Sequence, residues 1–126
     1  MIKGIQQTMG KGKDSVEKGI LLVRRWRVME VVSQSGGRSR HILGHDVTHD
    51  MGRASSGIRS FDLDAMTATT HSGTVYKLVG VPGKARSGER AWQNWCRINS
   101  VSAAVDVTAE YFDLDSLFLL AGPDGP

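Results

Sequence analysis

An α+β fold, a twisted antiparallel β-sheet of about five or six strands with one helix packed on one face, is predicted by three features of the sequence. Several β-branched stretches alternate polar and apolar residues, Gly-centred turns separate them, and a single segment, 89–100, carries helical periodicity. The first long strand starts near Ile20. Trp26, Val28, Glu30 and Val32 fall on one of its faces, and Arg25, Arg27, Met29 and Val31 on the other. Ser35-Gly36-Gly37 supplies the positive-φ positions of a tight turn, so residues 38–47 return as a hairpin partner. Asp50-Met51-Gly52 and Ser55-Ser56-Gly57 are expected to break regular structure ahead of Ile58 and Phe61. A second hairpin joins the Thr-rich segment 65–70 to the alternating segment 74–79 through His71-Ser72-Gly73.

The helix follows Gly80-Val81-Pro82-Gly83. Trp92, Trp95, Cys96 and Asn99 recur at i, i+3, i+4 and i+7, and Ser87 is a plausible N-cap. Alternation returns over 101–111, which predicts a final strand, and Trp26, Trp92 and Trp95 are expected to anchor one common core. Residues 1–18, rich in Gly, Lys and Gln, read as a flexible basic leader, residues 19–112 as a single α+β domain and 113–126 as a C-terminal tail.

The chain has 126 residues, with 40% apolar and 23% charged side chains. That composition suits one globular domain and excludes a mostly disordered polymer. Apolar runs such as 117–120 are far shorter than the roughly 20 residues of a membrane span. The N-terminus lacks the apolar core of a secretory signal, so a cytoplasmic location without membrane contact is expected. Cys96, the single cysteine, can form neither an internal disulfide nor a cysteine-rich zinc site.

Charge is uneven. Residues 1–63 carry a net +5 and residues 64–126 a net −2. A basic surface attracts phosphates or acidic protein surface, and Arg24, Arg25, Arg27, Arg38, Arg40, Arg53 and Arg59 are the candidate contacts, joined by Lys84 and Arg86 beside the helix start. The segment 80–88 departs from a P-loop: Leu78 and Val79 stand five and four residues before Gly83, where that motif places its first glycine, and Ala85 follows Lys84 in place of Ser or Thr. An ordinary strand-to-helix loop with a general anion contact fits it better.

His41, His45 and His49 recur every four residues. On a strand such neighbours are about 13 Å apart and cannot share one ion. On a helix they could, although Gly44, Val47 and Thr48 oppose a helix there. No cofactor is otherwise indicated. The two Phe-Asp-Leu-Asp runs, at Phe61 and Phe112, read as turns or caps, and no Gly-x-Ser-x-Gly elbow accompanies the serines.

Ser39-Arg40-His41-Ile42-Leu43-Gly44-His45-Asp46, Ser55-Ser56-x-Ile58, Ser72-Gly73-x-x-Tyr76-x-Leu78-x-Gly80-x-Pro82-Gly83 and Ala91-Trp92-x-x-Trp95 resemble small uncharacterised proteins carried on phages, gene cassettes or other mobile elements of Gram-negative bacteria. The resemblance spans about residues 25–110. It implies a cargo protein that acts by binding, such as an inhibitor of a host complex or an accessory DNA-binding factor. The leading expectation is therefore a small non-enzymatic binding module that contacts nucleic acid or a host protein complex through a basic surface. Two other classes compete with it: a small metal-dependent enzyme built on His41, His45 and His49, and a homo-oligomeric structural protein that covers its second sheet face with another copy.

Overall fold

The structure is a computed structural model that describes residues 19–113. The leader expected over 1–18, the tail from 114 onward and the apolar run at 117–120 lie outside the described residues. Seven strands and one helix succeed one another: β1 (Ile20–Val32), β2 (Arg38–Asp46), β3 (Met51–Ala54), β4 (Ile58–Asp62), β5 (Thr67–Thr70), β6 (Val75–Val79), α1 (Arg86–Ile98) and β7 (Ala104–Asp106). A 3-10 turn, Thr108–Glu110, follows β7. All strands belong to one sheet in the order β3-β2-β1-β6-β5-β4, with β7 also paired to β1. The α+β class and the helix laid on a sheet match the sequence-based reading. Two details differ. The sheet is mixed, because β6 runs parallel to β1, and regular alternation over 101–111 yields only the three-residue β7 before the chain turns.

Strand β1 organises the sheet. One of its edges pairs antiparallel with β2 along most of its length. Its other edge is shared: Ile20–Arg24 pair with β6, and Met29, Glu30 and Val31 pair with β7. A strand of 13 residues is long enough to take two partners end to end. Register slips between Arg24 and Arg27, where Arg25 adopts φ +50°. This bulge reverses the alternation, so that Val23 before it and Trp26 and Val28 after it all enter the same core.

That core lies on the face away from the helix. Val23, Trp26, Val28 and Ile42 meet Ala68, Tyr76, Leu78 and Val107 there, with Ile58, Phe61 and Phe112 packed around them. The sheet coils enough to bring Ile58 and Phe61 of β4 beside Arg40 and Ser39 of β2, without closing into a barrel. Side chains on this second face are buried among the sheet's own strands. On the helix face Met29, Val31, Leu43 and Trp92 form a second core, flanked by Trp95 and Cys96. The three tryptophans therefore do not share one core. Trp26, with no exposed surface, donates its indole N–H to Gly80 O at 3.1 Å on the opposite side of the sheet from Trp92 and Trp95.

The segment expected to be irregular at Met51-Gly52 is an edge strand, and Gly52 explains why it is there. A Cβ built on Gly52 would lie 1.9 Å from the carbonyl oxygen of Ser87. A Cβ on Gly88 would lie 2.7 Å from the Cα of Gly44, and one on Gly44 would meet Val23 at 2.5 Å and backbone beyond it. Gly52 and Gly88 thus allow the first turn of α1 to rest on the backbones of β2 and β3, while Gly44, on which Gly88 rests, lacks room for a side chain because of β1. Gly52→Ala and Gly88→Ala are each expected to cost about 1–3 kcal/mol in urea unfolding, as overpacking against backbone that cannot swing aside. Gly19→Ala, with nothing within 4 Å of its added methyl, should stay within about 0.5 kcal/mol of the parent.

Candidate functional site

The helix start gathers most of the chemistry on this surface. Ser87, expected as the N-cap, sits inside the helix. The cap position is Ala85, which offers no side-chain acceptor, so the first-turn N–H groups face outward without one. The Ser87 hydroxyl instead meets His45 Nδ1 at 2.7 Å, and His45 Nε2 meets Asp50 Oδ1 at 3.0 Å. A carboxylate requires a donor, so Nε2 carries the proton and Nδ1 accepts from Ser87. Asp50 holds φ +53° in the turn between β2 and β3. Sequence reading missed this chain of contacts because 42 residues separate Ser87 from His45.

The three histidines, aligned in the sequence, go to three different places. His41 is buried: its Nδ1 donates to Ser55 O at 2.9 Å, its Nε2 accepts from Ser39 Oγ at 2.8 Å, and its ring lies 4.4 Å from that of Trp95. His49 turns to Asp46 at 2.9 Å. Among the described residues no group of three or more His, Cys, Asp or Glu is arranged to hold a metal ion. The Asp46 carboxylate, fully buried, also accepts from Arg53 Nε at 2.7 Å. Burial alone would raise the pKa of Asp46, but the hydrogen bonds from Arg53 and His49 hold it below the usual carboxylate value.

The nine predicted basic contacts divide by partner. Arg27 reaches Glu89 of α1 at 2.6 Å and Asp106 of β7 at 3.1 Å, tying strand, helix and β7 together. Its burial works against the charge, yet the two carboxylates raise its pKa above the ordinary arginine value. Arg38 and Arg40 both bind Glu30, and Arg40 also binds Glu110 and lies over Tyr111. With Arg53 on Asp46, four of the nine are neutralised inside the fold. Arg24, Arg25, Arg59, Lys84 and Arg86 are exposed and have no carboxylate partner among the described residues. Arg59 stands apart on β4.

The remaining four converge beside the helix start. Arg25, on the bulge, donates to Lys84 O at 3.3 Å, and the backbone of Gly83 reaches Trp26 O at 3.1 Å. Arg24 is the register partner of His45, so both side chains leave the helix-bearing face. Two arginines not singled out from the sequence extend this group: Arg90 and Arg97 are exposed on α1, one turn and about three turns beyond Arg86. Exposed Gln93 and Asn94 lie between them, and Asn94 accepts from Arg97. Glu89, the single acid of the helix, is taken by Arg27. The periodicity that marked Trp92 and Trp95 as the inner face already implied this outer face, since Arg86, Arg90 and Arg97 fall opposite.

Burial, the largest influence on His41, lowers its pKa from 6.5, against the raising effect of its hydrogen bonds to the backbone of Ser55 and Ser56. The unfolded chain therefore binds this proton at a higher pH than the folded chain, and stability is full above about pH 6.5 and declines as pH falls toward the folded value. Urea unfolding between about pH 7.5 and 5 should show this decline, and His41→Gln should flatten it.

Comparison with protein-family models, curated proteins and solved structures returns no match, so the functional argument rests on this geometry.

Proposed function

We propose that this chain is a small nucleic-acid-binding module whose contact surface is the outer side of α1 together with the β1 bulge and the loop before the helix. One observation carries the reading: Arg24, Arg25, Lys84, Arg86, Arg90 and Arg97 are all exposed on or beside α1 with no carboxylate partner among the described residues, although Arg27, Arg38, Arg40 and Arg53 are each paired. Unpaired guanidinium groups aligned along a helix suit a row of phosphates, and Gln93 and Asn94 between them offer amide donors and acceptors to base edges. Arg25 supports the same reading. It occupies left-handed backbone that costs a non-glycine residue of order 1 kcal/mol, at a position where its side chain faces solvent.

The test is fluorescence anisotropy of a labelled duplex as salt rises. Binding through this face should weaken steeply, with a log–log slope of about −4 to −5 if most of the six cations meet phosphate. Arg90→Ala and Arg97→Ala should each reduce the slope by about 1 while leaving stability within about 0.5 kcal/mol. Arg27→Ala should do the reverse, lowering stability by about 1–3 kcal/mol as Glu89 loses its partner and leaving the slope alone. A flat salt response, or affinity for an acidic protein with none for duplex or single strand, would contradict the proposal.

A further inference from the structure

The contacts at the helix start have the order nucleophile, base, acid. We infer that Ser87, His45 and Asp50 form a catalytic triad that cleaves small esters bearing a negative charge. Ser87 Oγ is 2.7 Å from His45 Nδ1, the far side of the imidazole meets Oδ1 of the solvent-exposed Asp50 at 3.0 Å, and each partner comes from a different element: α1, β2 and the turn before β3. A nucleophile within hydrogen-bond reach of a base that a third group orients is the arrangement serine acyl transfer requires. The two ring nitrogens exchange roles relative to the usual triad, which leaves the proton path unchanged.

The surroundings fit the same chemistry. Ser87 is among the residues that line an open groove of about 570 Å³, with Gly52, Ala91, Asn94, Arg90 and Arg97, so an acid or phosphate group on the substrate has cationic residues near the nucleophile. Gly52 lets the β3 backbone close directly on the Ser87 carbonyl. The helix lacks a side-chain cap, so the first turn that carries Ser87 has N–H groups without a side-chain acceptor at the cap position.

In the first half-reaction Ser87 Oγ bonds to the acyl carbon as its proton passes to His45 Nδ1. The bond from the acyl carbon to the leaving oxygen then breaks, and that oxygen takes the proton from Nδ1. Water next attacks the acyl-serine, giving its proton to His45. The Ser87 oxygen departs with that proton, which regenerates the hydroxyl and releases a carboxylic acid. Throughout, Asp50 accepts from Nε2 and stabilises the imidazolium.

The experiment uses the full chain with 3-carboxy-4-nitrophenyl acetate, 4-nitrophenyl acetate and a fluorophosphonate, the last followed by peptide mass spectrometry. Phosphonylation concentrated on Ser87 and absent from urea-unfolded protein is expected, as is faster turnover of the carboxylated ester than of the neutral one. His45→Gln should reduce that turnover about 10²-fold. Arg97→Ala should raise KM for the carboxylated ester. Adduct mapping on the unaltered chain needs no variant, so a misfolded mutant cannot obscure the result. Modification spread over other serines, or none at Ser87 in the folded chain, would overturn the inference and identify Ser87–His45 as a clasp that docks the helix. Nucleic-acid binding is read separately and stands or falls without it.

Discussion

The close approach of helix to sheet at Gly44, Gly52 and Gly88 fixes how every other group on this surface is presented. The absence of side chains at Gly52 and Gly88 lets the backbone of α1 descend onto β2 and β3 at its N-terminal end, with Gly88 seated on the Gly44 backbone. Farther along, Trp92 and Trp95 stack against one another, 5.2 Å between ring centres, and fill the wider space over Met29, Val31 and Leu43. The helix thus meets the sheet at two levels, backbone at its start and aromatic rings at its middle. Its rotation about its own axis follows, and with it the outward direction of Arg86, Arg90 and Arg97.

Charge in this chain has two uses, separated by burial. Arginines that sit against the sheet find carboxylates: Arg27 bridges three elements, Arg40 joins β1 to the 3-10 turn, and Arg53 stabilises a buried aspartate. Removing Arg53 would strand the fully buried Asp46 carboxylate at low dielectric, which makes that pair a constraint on the fold. Arginines and the lysine around the helix start are solvated and uncompensated. A net charge of +3 conceals this division, because Glu30, Asp46, Glu89, Asp106 and Glu110 are all taken up by the inner group.

Local patterns in the sequence carried much of the fold. The Gly36 turn, the β5–β6 hairpin and the tryptophan face of the helix follow from φ requirements and periodicity, which act over a few residues. What the sequence could not convey depends on distant partners. The bulge at Arg25 changes which residues face inward, yet nothing in Arg24-Arg25-Trp26 distinguishes it from regular alternation. The parallel β1–β6 pair joins segments distant in the chain, and the strand at Met51 lies where the helix and sheet meet. For the site, Lys84 and Arg86 were legible from their place before the helix, whereas Arg27, Arg38, Arg40 and Arg53 looked equivalent to Arg24 and Arg25 until their carboxylates were seen. Ser87 read as a cap because Ser before an amphipathic run usually is one, and its contact with His45 is a tertiary event.

The central claim is that the outer side of α1 and its leading loop form the binding surface, and mapping amide chemical shifts of the ¹⁵N-labelled chain during titration with a short DNA duplex tests it most directly. The account predicts that perturbations cluster over residues 24–25 and 83–97 and spare β4 and β5. Perturbations centred on Arg59 and the β4 edge, or none at saturating duplex, would contradict it.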